Sequence, residues 1–111
     1  MLTSQAFKAW LENANHKNNI VGSSDDPANC PIANYLKDGN DYLAIEVLDC
    51  EVNIWHPGDH DPISYPLPDW AQRFINEIDG ENTDPHEEVH QDWALKILTA
   101  KDIQAFVKGE E

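Results

Sequence analysis

The chain has 111 residues, 41% of them hydrophobic, with four Trp, three Tyr and three Phe. That suits one acidic α+β domain over residues 1–111 with a core of its own and no need of disulfides; no apolar run approaches the roughly 18 residues of a membrane span. Asp and Glu number 21 against seven Lys and Arg, a formal net charge of −14, which argues against nucleic acid and anionic membranes as direct partners, because both are held by clustered cations.

Residues 4 to 14 read as a helix that Ser4 can cap, with Ala6, Phe7, Trp10, Leu11 and Ala14 on one face. The polar stretch from Asn15 to Asn29, with Gly22, Asp25, Asp26 and Pro27, reads as a loop. Pro31 at a first helical position and Gly39 as a stop bracket a short helix. From Tyr42 to Trp55 the partial alternation of Ile45, Val47, Val52 and Ile54 predicts two strands with a turn near Asp49. Four prolines and a glycine in residues 56 to 68 predict a loop with a short edge strand at Ile63 to Tyr65.

From Pro68 the helical period returns, with Trp70, Ala71, Phe74, Ile75 and Ile78 on one face and Gly80 as the stop. After a polar turn at residues 81 to 84, a helix is expected from Pro85 to Leu98. A last one is expected with Thr99 as its cap, Ile103, Phe106 and Val107 as its apolar face, and Gly109 as its end. Together these predict a small antiparallel sheet of two or three strands packed against about five short helices. Trp10, Trp70 and Trp93 fall on apolar helix stripes and are expected to pack together.

The stretch His86-Glu87-Glu88-Val89-His90 spells H-E-x-x-H. On a helix that spacing puts two imidazoles one turn apart on a zinc ion, with the Glu activating its water. Here the context is different. Asp84 is a natural N-cap, Pro85 suits the first turn, and Glu87, three residues after Asp84, completes a capping box. Where the metzincin pattern continues with Gly and His, this chain has Trp93 and Lys96. In a helix begun at Pro85, His86 and His90 would fall in the middle of the Val89, Trp93, Ala94 and Ile97 stripe, so half-buried, hydrogen-bonded histidines are expected. The alternative is a Zn, Ni or Fe site made if the His56, Asp59, His60, Asp61 loop folds over His86 and His90. No cofactor is expected otherwise.

Cys30, before Pro31 at a helix start, is either an activated thiol or a small buried cap. No C-x-x-C, phosphate-binding glycine loop or nucleophile elbow occurs. The first ten residues lack a basic stretch followed by an apolar one, so reduced thiols in a cytoplasmic protein are expected. Trp55 and Tyr65 are expected to form an exposed aromatic site ringed by the loop acids Asp25, Asp26, Asp59 and Asp61. The function expected is a non-enzymatic acidic binding protein, an inhibitor or nucleic-acid mimic that occupies a basic surface of a nucleic-acid-handling partner. Small phage-encoded anti-defence proteins share this size and charge, an analogy of composition alone. Two other expectations stand beside it: a metal-binding protein or metallohydrolase built on His86 and His90, and an accessory subunit whose acidity serves solubility.

Overall fold

A computed structural model describes residues 2–13, 19–24, 26–38, 40–58, 60–81 and 87–107. In chain order the elements are α1 (Ser4–Asn13), β1 (Ile20–Ser23), α2 (Pro31–Lys37), β2 (Ala44–Val47), β3 (Glu51–Trp55), β4 (Ile63–Pro66), α3 (Asp69–Glu81), β5 (Glu88–His90), α4 (Gln91–Leu98) and α5 (Lys101–Val107). The fold is α+β, with five helices and two small antiparallel sheets among the described residues.

The three-stranded sheet has the order β2-β3-β4. The turn at residues 48–51, closed by Leu48 N–H to the Glu51 carbonyl at 2.8 Å, pairs Ala44 with Trp55 and Val47 with Val52. The expected edge strand is present, with Tyr65 opposite Val52 and Ile63 opposite Ile54. Because the side-chain period is two, Ile45, Val47, Val52 and Ile54 share the buried face, while Glu46, Asn53 and Trp55 share the other.

The helices cover the buried face. Phe7 of α1 is fully buried and touches four other rings: Trp10 at 6.0 Å, Tyr35 at 5.5 Å, Trp70 at 5.9 Å and Phe74 at 5.1 Å between centroids. Trp93 stands apart from this cluster, half-buried on α4, so the expected trio of tryptophans reduces to Trp10 and Trp70 bridged by Phe7.

Three boundaries and one whole sheet differ from expectation. Thr3, not Ser4, caps α1: its Oγ1 accepts from Ala6 N–H at 3.2 Å, and Ser4 is buried inside the first turn. Gly80 lies within α3, which runs on to Glu81. Thr99 closes α4 by donating its hydroxyl to the Leu95 carbonyl at 2.8 Å, and Ala100 supplies the carbonyl that starts α5. The largest difference is a second sheet. The stretch read as a loop contains β1, and the segment read as the start of a helix contains β5; the two pair antiparallel, Gly22 opposite Val89 and Ser23 opposite Glu88. Tertiary pairing overrides local pattern here, since a three-residue strand and one helical turn put the same single apolar residue, Val89, inward.

Close approach fixes this sheet against the start of α2. A Cβ on Gly22 would lie 2.7 Å from the Asn29 carbonyl oxygen, 2.7 Å from Pro31 N and 2.8 Å from the Cys30 carbonyl carbon. Ser23 N–H donates to the Asn29 carbonyl at 2.9 Å, and the Asn34 amide bridges Val21 and Asn29 carbonyls at 2.9 and 3.2 Å. The segment from Asp26 to Asn29 is thereby held beside the edge of β2, where Val47 N–H donates to the Pro27 carbonyl at 2.8 Å. No helix among the described residues is long and apolar enough to cross a membrane.

Candidate functional site

The H-E-x-x-H segment lacks the helix its chemistry needs. Asp84, Pro85 and His86 lie outside the described residues. From Glu88 to His90 the chain is a strand, and α4 begins only at Gln91. Alternation turns Val89 into the core and leaves Glu88 and His90 exposed, so His90 is not on a buried stripe. Glu87 is held through its backbone: Ser24 N–H donates to its carbonyl at 2.9 Å, and its own N–H donates to the buried Ser24 Oγ at 3.2 Å. Glu87, Glu88, His90 and Trp93 line an open depression of about 450 Å³.

The loop histidines do not complete a site either. His56 packs edge-on against Tyr42 at 5.3 Å. His60 and Asp61 are exposed, and Asp59 lies outside the described residues. Among the described residues no group of three or more His, Cys, Asp or Glu is placed to hold a metal ion. The Zn, Ni or Fe expectation therefore has no ligand set among them.

Cys30 is a cap, not an activated nucleophile. Its Sγ accepts from Ala33 N–H at 3.4 Å at the start of α2. Burial pushes its thiol up to about 11, outweighing the lowering by the Ala33 and Ile32 amides, and Asp79 and Asp26 raise it further. A thiol that stays protonated at neutral pH is a poor nucleophile. Cys50 is exposed and both cysteines are unpaired, although they line one cavity of about 490 Å³.

The expected aromatic pair is split by the sheet. Tyr65 stands opposite Val52 and so shares the core-side face, where it borders an apolar groove of about 590 Å³ with Leu2, Leu36, Tyr42, Ile54 and Leu67. Trp55 has the opposite parity and faces away from the core.

Trp55 does meet one of the expected acids. With Asp26, Pro27, Ala28, Leu43 and Glu46 it lines a cleft of about 420 Å³ between the 26–28 segment and the outer edge of β2. Asp26 caps its own turn, Oδ1 accepting from Ala28 N–H at 3.2 Å. Glu46 belongs to a polar ladder across the sheet, accepting from Asn53 Nδ2 at 3.5 Å, with Asn53 Oδ1 accepting in turn from Ser64 Oγ at 2.5 Å. Leu43, 64% exposed, is the most exposed large hydrophobic among the described residues. Among the described residues no Lys or Arg lines the cleft; Lys37 braces its wall by donating to the Ala28 carbonyl at 2.7 Å. Asp25, next to Asp26, lies outside the described residues.

An aromatic face and two carboxylates around an apolar floor suit a guanidinium or ammonium group, through cation–π contact and charge pairing at once. Glu46 and Leu43 were missed from the sequence. The signal for Glu46 is present: a tight turn near Asp49 pairs Ala44 with Trp55 and places Glu46 on the Trp55 face. No protein-family model matches the chain, and no similar curated protein or solved structure is found.

Proposed function

We propose that this protein is a non-enzymatic acidic binding module whose partner presents a basic surface. The observation that carries this reading is the cleft in which Trp55, Asp26 and Glu46 converge within a chain of net charge −14. Charge of that size steers a cationic partner from a distance, and the aromatic–acid cleft supplies the short-range contact. In the finer version of the reading, the partner's basic surface normally holds nucleic acid, and the protein inhibits it as a mimic. A cytoplasmic setting accords with two unpaired cysteines.

The test is capture from lysate on immobilised protein at low salt, followed by elution in a salt gradient. Basic proteins should be retained by the wild type, be released by moderate salt, and be lost from an Asp26→Asn/Glu46→Gln/Trp55→Ala variant. Exposed charges are screened beyond about 8 Å at physiological ionic strength, so retention that ignores salt would contradict the reading. For the mimic version, the eluted partner should release bound DNA when the protein is added.

A second reading, an accessory subunit whose acidity serves solubility, is favoured by the apolar groove beside β4, where Ile63 and Tyr65 are 45% and 44% exposed. It predicts a complex that survives high salt and is broken by Tyr65→Ser.

A further inference from the structure

The two edges of the three-stranded sheet differ. Leu67 N–H donates to the Cys50 carbonyl at 3.0 Å, so along β4 it is Ile63 and Tyr65 that bond β3, while Pro62, Ser64 and Pro66 present their backbones outward. Two of those three positions are prolines with no N–H to offer. That edge is blunted against strand addition.

The β2 edge is covered by the 26–28 segment at Val47 but open at Ile45. Leu48 pairs with Glu51 through a backbone bond, so Glu46 and Ala44 bond β3 and the alternate residues, Val47 and Ile45, turn outward. Val47 N–H is taken by the Pro27 carbonyl. Ile45 N–H and C=O open into the cleft, and no described residue takes them. We propose that the outer edge of β2 at Ile45 receives an extended segment of the partner as a fourth strand, with basic residues alternating with apolar ones. This rests on the basic-partner reading and names how the partner docks.

Three observations select that occupant. Side chains of an added strand alternate between faces. Those on the outer face stand beside Glu46 and Ala44, within reach of Asp26 and Trp55, where Lys or Arg is complemented and an acid would be repelled. Those on the other face share the side of the sheet on which Ile45 and Val47 are buried, which suits apolar residues. The charge also weighs against a second copy of this chain, which would itself carry a formal net charge of −14.

The probe is a capped heptapeptide alternating arginine and valine, titrated into the full chain labelled with nitrogen-15. Two companion peptides are used, one with citrulline replacing arginine and one N-methylated at alternate backbone amides. Strand addition predicts that the arginine peptide shifts the Leu43 to Glu46 amides and slows hydrogen exchange at Ile45 N–H by tenfold or more. It predicts at least tenfold weaker binding by the N-methylated peptide, by the citrulline peptide and by an Asp26→Asn/Glu46→Gln variant. If the arginine peptide binds and the citrulline peptide does not, but the N-methylated peptide binds equally and Ile45 exchanges freely, strand addition is overturned while the basic-partner reading stands. If the arginine peptide does not bind even at low salt, both fall. Protection of Ile45 N–H in the free protein that grows with concentration would mean self-pairing and would also overturn the proposal.

Discussion

Two glycines of this chain should respond to alanine with opposite signs. At Gly22 a Cβ would sit 2.7 to 2.8 Å from three backbone atoms of Asn29, Cys30 and Pro31. None of these belongs to a flexible side chain that could swing aside. The Asn29 carbonyl accepts from Ser23 N–H and from the Asn34 amide, and Pro31 opens α2 with its fixed ring. Relieving the clash therefore moves β1 away from α2 and weakens those bonds. Overpacking of this kind costs about 1–3 kcal/mol, and a lost intramolecular hydrogen bond adds about 1 kcal/mol. Alanine recovers about 0.4–1 kcal/mol by restricting the unfolded chain. The net loss is about 2 kcal/mol, or roughly 8 °C in Tm at the 4 °C or so per kcal/mol expected for this length. At Gly80, inside α3, nothing lies within 4 Å of the added Cβ, so alanine gains about 0.5–1 kcal/mol of helix propensity. Urea denaturation followed by tryptophan fluorescence measures both. A Gly22→Ala protein as stable as wild type, or a Gly80→Ala protein destabilised to the same degree, would refute the close-approach argument.

Three other outcomes follow from the same contacts. Stability should hold up to about pH 9 and then fall by about 2 kcal/mol by pH 11, because the unfolded Cys30 thiol ionises from 9.0 while the folded one stays protonated to about 11. Cys30→Ser, which keeps a capping oxygen, should flatten most of that slope in alkaline denaturation curves, leaving the contribution of Tyr35, whose phenol burial also raises; an unchanged slope would be inconsistent with a buried thiol. Ser24→Ala removes the acceptor of Glu87 N–H and should cost about 1–2 kcal/mol, with faster hydrogen exchange at β5, whereas a neutral substitution would mean the Ser24–Glu87 bonds do not hold the strand. Finally, zinc, nickel or chelator should shift Tm by less than roughly 1 °C, within the scale of about 4 °C per kcal/mol for a domain of this size. A stoichiometric ion bound by wild type and lost in His90→Ala would revive the metal reading.

The elements that were legible in the sequence are those whose residues settle their own periodicity. Trp70, Phe74 and Ile78 mark α3 over three turns, and Ile45, Val47, Val52 and Ile54 mark a hairpin whose register depends only on its turn. Proline and cysteine at the start of α2 act locally, and that start was read correctly. β1 and β5 were not legible, because each is only three or four residues long and its partner is more than sixty residues away. Val89 satisfies either period, and an H-E-x-x-H spelling draws the eye toward a helix. The site divided in the same way. Parity alone separates Trp55 from Tyr65 once the register is known, but Asp26 shares a cleft with Trp55 because Gly22 lets the Asn29 backbone press against β1, which holds the 26–28 segment along β2. Nothing in a local window of sequence carries that juxtaposition.

The most direct test of the account compares two variants that remove the same charge in different places. Asp26→Asn/Glu46→Gln neutralises the cleft, and Glu87→Gln/Glu88→Gln neutralises two acids at the β5 depression. Affinity for the labelled arginine–valine peptide is measured by fluorescence anisotropy at physiological salt. The cleft variant should bind at least tenfold more weakly, a loss of about 1.4 kcal/mol, and the β5 variant should stay within about twofold, because its acids line a different depression. Equal losses in the two variants would mean that net charge alone attracts the peptide and that the cleft is not the site.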